Sequence, residues 1–248
     1  MKNKKVLKIS FLIITILCLA VGCKHFGEQS EQPPSNQQNN PPQVEIDTTS
    51  FDYWFPLVKE WNGTPYAVVN DNIPFFTDDE KIIITAFEIY TPLDNLGRCG
   101  IAYANICLDI MPTENRGSIS NIKPTGWQSV KYDCIPGKWL YNRSHLIGFQ
   151  LAGENDNKLN LITGTKYLNN YGMLPFENMV ADFVKETEWH VLYRVTPIFL
   201  DNELVARGVL IEAWSVEDNG DGICFNVYCY NVQPGIIIDY ATGLSKEE

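Results

Sequence analysis

The chain has 248 residues and is 45% hydrophobic, enough apolar material for a full core, so a wholly disordered protein is excluded. Its formal net charge of −11 excludes capture of a polyanion by bulk positive charge, although a local basic cleft can coexist with an acidic surface. None of its cysteines shows CxxC spacing, which argues against a zinc site.

The first element is not fold. Lys2, Lys4, Lys5 and Lys8 precede an apolar run, Ile9 to Leu19, that is too short to span a bilayer as a stable helix. It ends in Ala20-Val21-Gly22-Cys23, small residues directly before a cysteine. This resembles a bacterial lipobox, with Ala20 where leucine is more usual, rather than an ordinary secretory signal cut nearby. It implies cleavage before Cys23, lipid on its sulfur, export, and a surface lipoprotein held to the membrane by that anchor alone. Losing the four lysines of residues 1–22 takes the charge from −11 to −15. Residues 23–43, rich in Gln, Asn, Pro, Ser and Glu, read as a disordered tether, and His25 falls within it.

Residues 44–248 read as one domain. Strands are expected at Tyr66–Asn70, Ile82–Tyr90 (with a helical turn over Ile82–Thr85 as the alternative for its start) and Leu96–Cys107, the last around a bend at Gly97 and Gly100. Pro175 to Glu186 predicts a helix, since Phe176, Met179, Val180, Phe183 and Val184 form one apolar stripe. Trp189–Leu200, Leu204–Val216 and Ile223–Asn231 are dense in β-branched and aromatic residues, with short turns between them, which predicts an antiparallel meander. The class is therefore α+β with an antiparallel sheet core. Of Cys99, Cys107, Cys134, Cys224 and Cys229, at least one cannot pair within the domain, and mostly buried free thiols are expected. Cys224 and Cys229 are five apart in one strand, on opposite faces, and should not pair with each other.

The stretch that carries chemistry is Tyr141 to Glu177. It holds Asn142-Arg143-Ser144-His145, then Asn160-Leu161-Ile162-Thr163-Gly164-Thr165, then Asn169 and Leu174-Pro175-Phe176-Glu177. Histidine suits general-base work near neutrality. His145 follows Trp139-Leu140-Tyr141 and sits beside Arg143, whereas His190 lies inside a long strand and reads as structural. Taken singly, the others have plain readings. Asn169 reads as a helix C-terminal cap, Glu177 as a first-turn carboxylate, Asn160 as a turn residue, and Arg143 and Lys166 as solvated cations.

In order, these segments resemble the DNA/RNA non-specific endonuclease family of the ββα-metal, His-Asn type, including DNA-entry and secreted streptococcal nucleases, whose usual signature is Asp-Arg-Gly-His. The likeness extends to Lys123-Pro124-Thr125-Gly126-Trp127, Tyr193-Arg194-Val195-Thr196-Pro197 and Asn231-Val232-Gln233-Pro234-Gly235. It implies a strand–strand–helix site holding one divalent ion, Mg²⁺ or in its place Mn²⁺, and a DNA or RNA substrate cut without sequence specificity. By position, His145 would be the general base, Asn169 the metal ligand, and Asn160, Glu177 and Arg143 supporting groups, while Lys166 or Arg194 could bind the substrate. Asn142 and Ser144 depart from the signature's aspartate and glycine. The competing readings are a catalytically inactive module that binds extracellular DNA, and a surface interaction protein that keeps only the fold.

Overall fold

The computed structural model describes residues 60–248. The signal, the Cys23 lipidation site, the tether with His25, and residues 44–59 of the expected domain lie outside the described residues. The core is a six-stranded sheet in the order β1-β8-β7-β6-β3-β2, antiparallel at every pairing. Its strands are β1 (Tyr66–Val68), β2 (Phe87–Tyr90), β3 (Ala102–Ile106), β6 (Val191–Ile198), β7 (Gly208–Ser215) and β8 (Cys224–Tyr230). The last three form the expected meander. Separate from the sheet are a hairpin of β4 (Tyr141–His145) with β5 (Leu161–Thr165), and a small one of β9 (Ile236–Ile238) with β10 (Ser245–Glu247).

Both faces of the sheet are covered, and the period-2 alternation of a strand assigns each residue to one of them. Ala104, Tyr193, Val195, Ile211, Val227 and Cys229 pack in one core with Leu146, Ile147, Phe176 and Val180, which belong to the β4–β5 hairpin region and the long helix Leu174–Thr187. On the other face, Tyr103 and Leu192 pack with Phe76 and Phe87. The helix extends its expected range by a residue at each end, with Pro175 in its first turn and Glu188 closing it in the left-handed region.

Two expectations shift. Residues 80–82 form a 3₁₀ turn, and the strand after it begins only at Phe87. The segment from Leu96 becomes strand only at Ala102, because the Asp94 carboxylate captures the backbone N–H groups of Leu96 and Arg98 and holds a turn there. All five cysteines of the described residues are free. Cys99, Cys107 and Cys229 are buried and Cys134 is exposed.

Arg194 sits on the sheet face away from the hairpin. Its Nε and Nη2 donate to the Glu212 carboxylate at 2.7 and 2.9 Å, Glu80 lies 3.5 Å away, and its guanidinium stacks 4.6 Å from the Phe76 ring centre. Arg194→Ala would leave the buried Glu212 carboxylate without its counter-charge, a loss of about 3–5 kcal/mol. We expect Tm to fall by roughly 10 °C in a calorimetric scan; a Tm within about 2 °C of wild type would show that the pair carries no stability.

Candidate active site

The hairpin register places His145 opposite Leu161 and Tyr141 opposite Thr165. The chain leaves β5 through a π-helical turn, Leu168–Met173, which runs directly into the long helix, so a strand–strand–helix unit is present. His145 closes β4 with only 6% of its surface exposed. Its partners assign its tautomer. The backbone carbonyl of Asn155, 2.8 Å from Nε2, can only accept, so Nε2 carries the proton. Arg116 Nη2, 3.3 Å from Nδ1, can only donate, so Nδ1 presents its lone pair. Burial lowers the pKa of His145 and the Arg116 charge lowers it further, against the opposing bonds to the Asn155 and Glu154 backbone. Both ring nitrogens are thus engaged, and these contacts favour the neutral imidazole, with Nδ1 as its acceptor.

Arg116 links His145 to a cavity of about 550 Å³, lined among others by Arg116, Trp127, Trp139, Asn142, Arg143 and Asn169. The Asn169 amide donates through Nδ2 to Asn170 Oδ1 at 3.0 Å, which turns its own carbonyl oxygen away from that bond. Among the described residues there is no cluster of three or more His, Cys, Asp or Glu that could hold a metal ion. A divalent cation here would rest on a neutral oxygen and keep most of its water. That donor set fits a hard, strongly hydrated ion such as Mg²⁺ and does not fit a dry four-ligand zinc centre.

Glu177 lies in the first turn of the long helix, its carboxyl against Gly148, where a side chain's Cβ would come within 2.7 Å of Oε2. Burial pushes this carboxyl up to about 7, with a bond from Gln150 and the charge of Arg116 opposing the rise. Arg116 therefore acts on both the base and the acid.

The other expected site residues separate clearly. Arg143 lines the cavity, but its guanidinium donates to the backbone carbonyls of Ile122 and Ser120 and lies 4.2 Å from the Trp127 ring centre, so it also fixes the cavity wall. Asn160 is fully buried, and its amide bonds both the N–H and the carbonyl of Ile147 at 2.9 Å. It positions the end of β4 rather than offering a free group to a reaction. Lys166 donates to the Pro136 carbonyl, beside the 136–137 turn, and is engaged there rather than presented to the cavity. Arg194 is on the far face of the sheet in its ion pair, which removes it from substrate binding. Asn169 is not a helix C-cap, since the π turn continues into helix rather than ending one.

Sequence reasoning passed over Arg116, Asn155 and the two tryptophans of the cavity. One signal for Arg116 was available. Arg98 and Arg207 each have an acid four residues before them, Asp94 and Glu203, and both pairs form. Arg116 has no such partner in sequence, and no carboxylate ion pair to it is present among the described residues. The departures from the expected signature are accommodated. Ser144 is buried diagonally across from Gly164, where a Cβ would fall 2.2 Å from Ser144 Oγ, so the serine fits because that neighbour has no side chain, although its hydroxyl is buried without a hydrogen-bond partner. Asn142 lines the cavity.

The family model for DNA/RNA non-specific endonuclease matches residues 80–217. A curated deoxyribonuclease of Streptococcus dysgalactiae subsp. equisimilis is 27% identical over 207 residues, 66% of this chain and 62% of that protein, so the chain spans less than two thirds of that relative. Among solved structures, NucA from Streptococcus agalactiae with no metal bound superposes with a TM-score of 0.68 at 27% identity, over 82% of this chain and 99% of that one. The same protein with magnesium bound gives 0.64, over 75% and 91%, at 27% identity. The Sda1 nuclease with bound zinc gives 0.61 at 25% identity, over 75% and 97%.

The raised pKa of Glu177 has a stability consequence with a definite sign. The folded state keeps the proton up to about 7, whereas the unfolded chain releases it near 4.5, so stability falls as pH rises between those values and then levels. The penalty at pH 8 is about 3 kcal/mol. Glu177→Gln in metal-free protein should raise Tm by several degrees at pH 8, with the gain shrinking toward pH 5. A gain independent of pH would mean that the carboxyl is not buried in this way.

Proposed function

Because the chain belongs to the DNA/RNA non-specific endonuclease family, we propose that it hydrolyses phosphodiester bonds of DNA, RNA or both, without reading base sequence, at the cell surface. The observation that carries this reading is the arrangement of His145: held through Nε2–H by a backbone carbonyl, and presenting Nδ1 toward Arg116, one of the two arginines that line the cavity. A general base must be oriented and unprotonated before it can act, and both conditions are met here without a carboxylate partner.

The steps assigned to this chain follow. An incoming phosphate competes for Arg116 and draws its guanidinium from Nδ1. The freed lone pair then accepts a proton from the attacking water. Arg116, with the exposed edge of Arg143, balances charge growing on the non-bridging oxygens, a role the planar guanidinium fills well. Asn155, through its carbonyl, and Asn160, through Ile147, hold the imidazole in place. Asn169 would hold a hydrated divalent cation, Mg²⁺ or in its place Mn²⁺, through its side-chain oxygen, with Glu177 as a supporting polar group. When bound, such an ion supplies Lewis-acid stabilisation of the phosphate and of the leaving oxygen. The magnesium-bound NucA supports Mg²⁺ for this chain. Cys23 is the point of lipid attachment.

Incubation of the purified protein with plasmid DNA and total RNA, in Mg²⁺, Mn²⁺ or EDTA, tests the reading. Cleavage should require metal, and His145→Ala should lower kcat by about 10²–10⁴. Asn169→Ala should lose activity that added metal partly restores. Undiminished cleavage by His145→Ala, or none by the folded wild type in any metal, would overturn the assignment. Cys23→Ser should shift the protein from the membrane fraction to the medium, and membrane retention by that variant would remove the lipid anchor.

A further inference from the structure

Phosphodiester hydrolysis requires contacts to phosphate, water and metal, yet this cavity has aromatic walls. Trp127 and Trp139 both line it. Trp127 is already engaged: Arg143 covers one face of its ring, and its Nε1–H reaches Ser129 Oγ at 3.3 Å. Trp139 is different. It is 46% exposed, and among the described residues no other aromatic ring stacks on it. Like Trp127 it carries a cation over one face, Lys131 Nζ at 4.3 Å from the ring centre across the Lys131–Trp139 bridge. A half-exposed ring with an ammonium group over one face, on the wall of a cavity that also holds two arginines, matches the chemistry of a nucleotide: a flat base and a phosphate.

We propose that Trp139, with Lys131, is a base-stacking subsite that gives this protein a preference for single-stranded or unpaired nucleic acid. The proposal rests on the nuclease reading of the same cavity. Two physical arguments support it. A chain with net charge −11 gains little from general attraction to a polyanion, so affinity has to come from local contacts, and stacking is the non-ionic contact that every base offers. In duplex DNA the base faces are taken by their neighbours, and reaching the ring requires unstacking, whereas a single strand presents them freely. Trp139 precedes His145 by six residues along an extended segment, about 20 Å at the usual strand rise. The stacked base therefore belongs to a nucleotide several positions from the bond that is cut.

Anisotropy titrations of a fluorescein-labelled twelve-nucleotide oligothymidylate and a twelve-base-pair duplex, in EDTA so that neither is cleaved, test the proposal on the full protein. Trp139→Ala should weaken single-strand binding about tenfold, as expected for one lost base–aromatic stack, and duplex binding less than about threefold. Trp139→Phe, which keeps a ring, should recover most of the loss. Equal weakening for both twelve-mers, no weakening for either, or no recovery with phenylalanine would overturn the proposal. Catalysis plays no part in these titrations, so failure of the subsite and failure of the hydrolytic reading register separately.

Discussion

The active-site unit is held to the sheet through one buried asparagine. Asn231, at the end of β8, donates through Nδ2 to the carbonyls of Thr163 and Ala206, and its Oδ1 accepts the N–H of Thr165. The same joint continues in the next residue, since Thr165 Oγ1 donates to the Val232 carbonyl and accepts the Leu168 N–H. Leu168 opens the π turn that carries Asn169. An unbroken line of hydrogen bonds thus runs from the central sheet to the proposed metal ligand. Apolar packing between the hairpin and the sheet supplies adhesion but no register, because methyl groups do not specify alignment. Fully satisfied buried polar bonds do.

The distribution of cations follows the same logic of partners. Three of the five arginines, Arg98, Arg194 and Arg207, are neutralised by acids of the fold. Arg116 and Arg143 are not, and both line the cavity that Arg116 links to His145. The acidic net charge therefore says little about the site. The two arginines that no carboxylate pairs with, among the described residues, both face the cavity where an anion would enter. Bulk charge governs solubility and long-range steering; the potential inside a cleft depends on which cations lack partners.

This also marks how far the sequence could be read. β6, β7 and β8 and the long helix were legible because period and composition are local properties, and burial on both sheet faces makes strands β6 to β8 almost continuously apolar. His145 and Asn169 are candidates through an ordered pattern of segments, and that pattern says nothing of the contacts around them. The roles of cations were not. Arg143, Lys166 and Arg194 look alike in sequence. Only tertiary contacts reveal that Lys166 serves a turn and Arg194 a buried pair with Glu212, eighteen residues away across a β-hairpin. Arg116 lies between regular elements in Glu114-Asn115-Arg116-Gly117, where periodicity offers no information. Asn160 was placed correctly in the neighbourhood, but its buried bonds to Ile147 make it a support for the base rather than a reacting group.

Glu177 is hard to explain by stability alone. Its carboxyl is pushed up to about 7 by burial, and no ion pair to it is present among the described residues. Around it the interface between helix and sheet holds other poorly satisfied polarity: the Tyr193 hydroxyl is buried without a partner, and burial, with the charge of Glu177 adding to it, raises the pKa of both Tyr193 and Cys229. A helix selected only for packing would place an apolar or neutral residue at that position. A carboxyl kept near neutrality by its surroundings can instead change protonation when a cation or a phosphate arrives, and such perturbed groups concentrate at functional sites. Tyr193 is in β6, which is paired along its length with β7, so the buried carboxyl lies against a continuously hydrogen-bonded sheet, and only the Gln150 bond and the Arg116 charge offset the cost of ionising it.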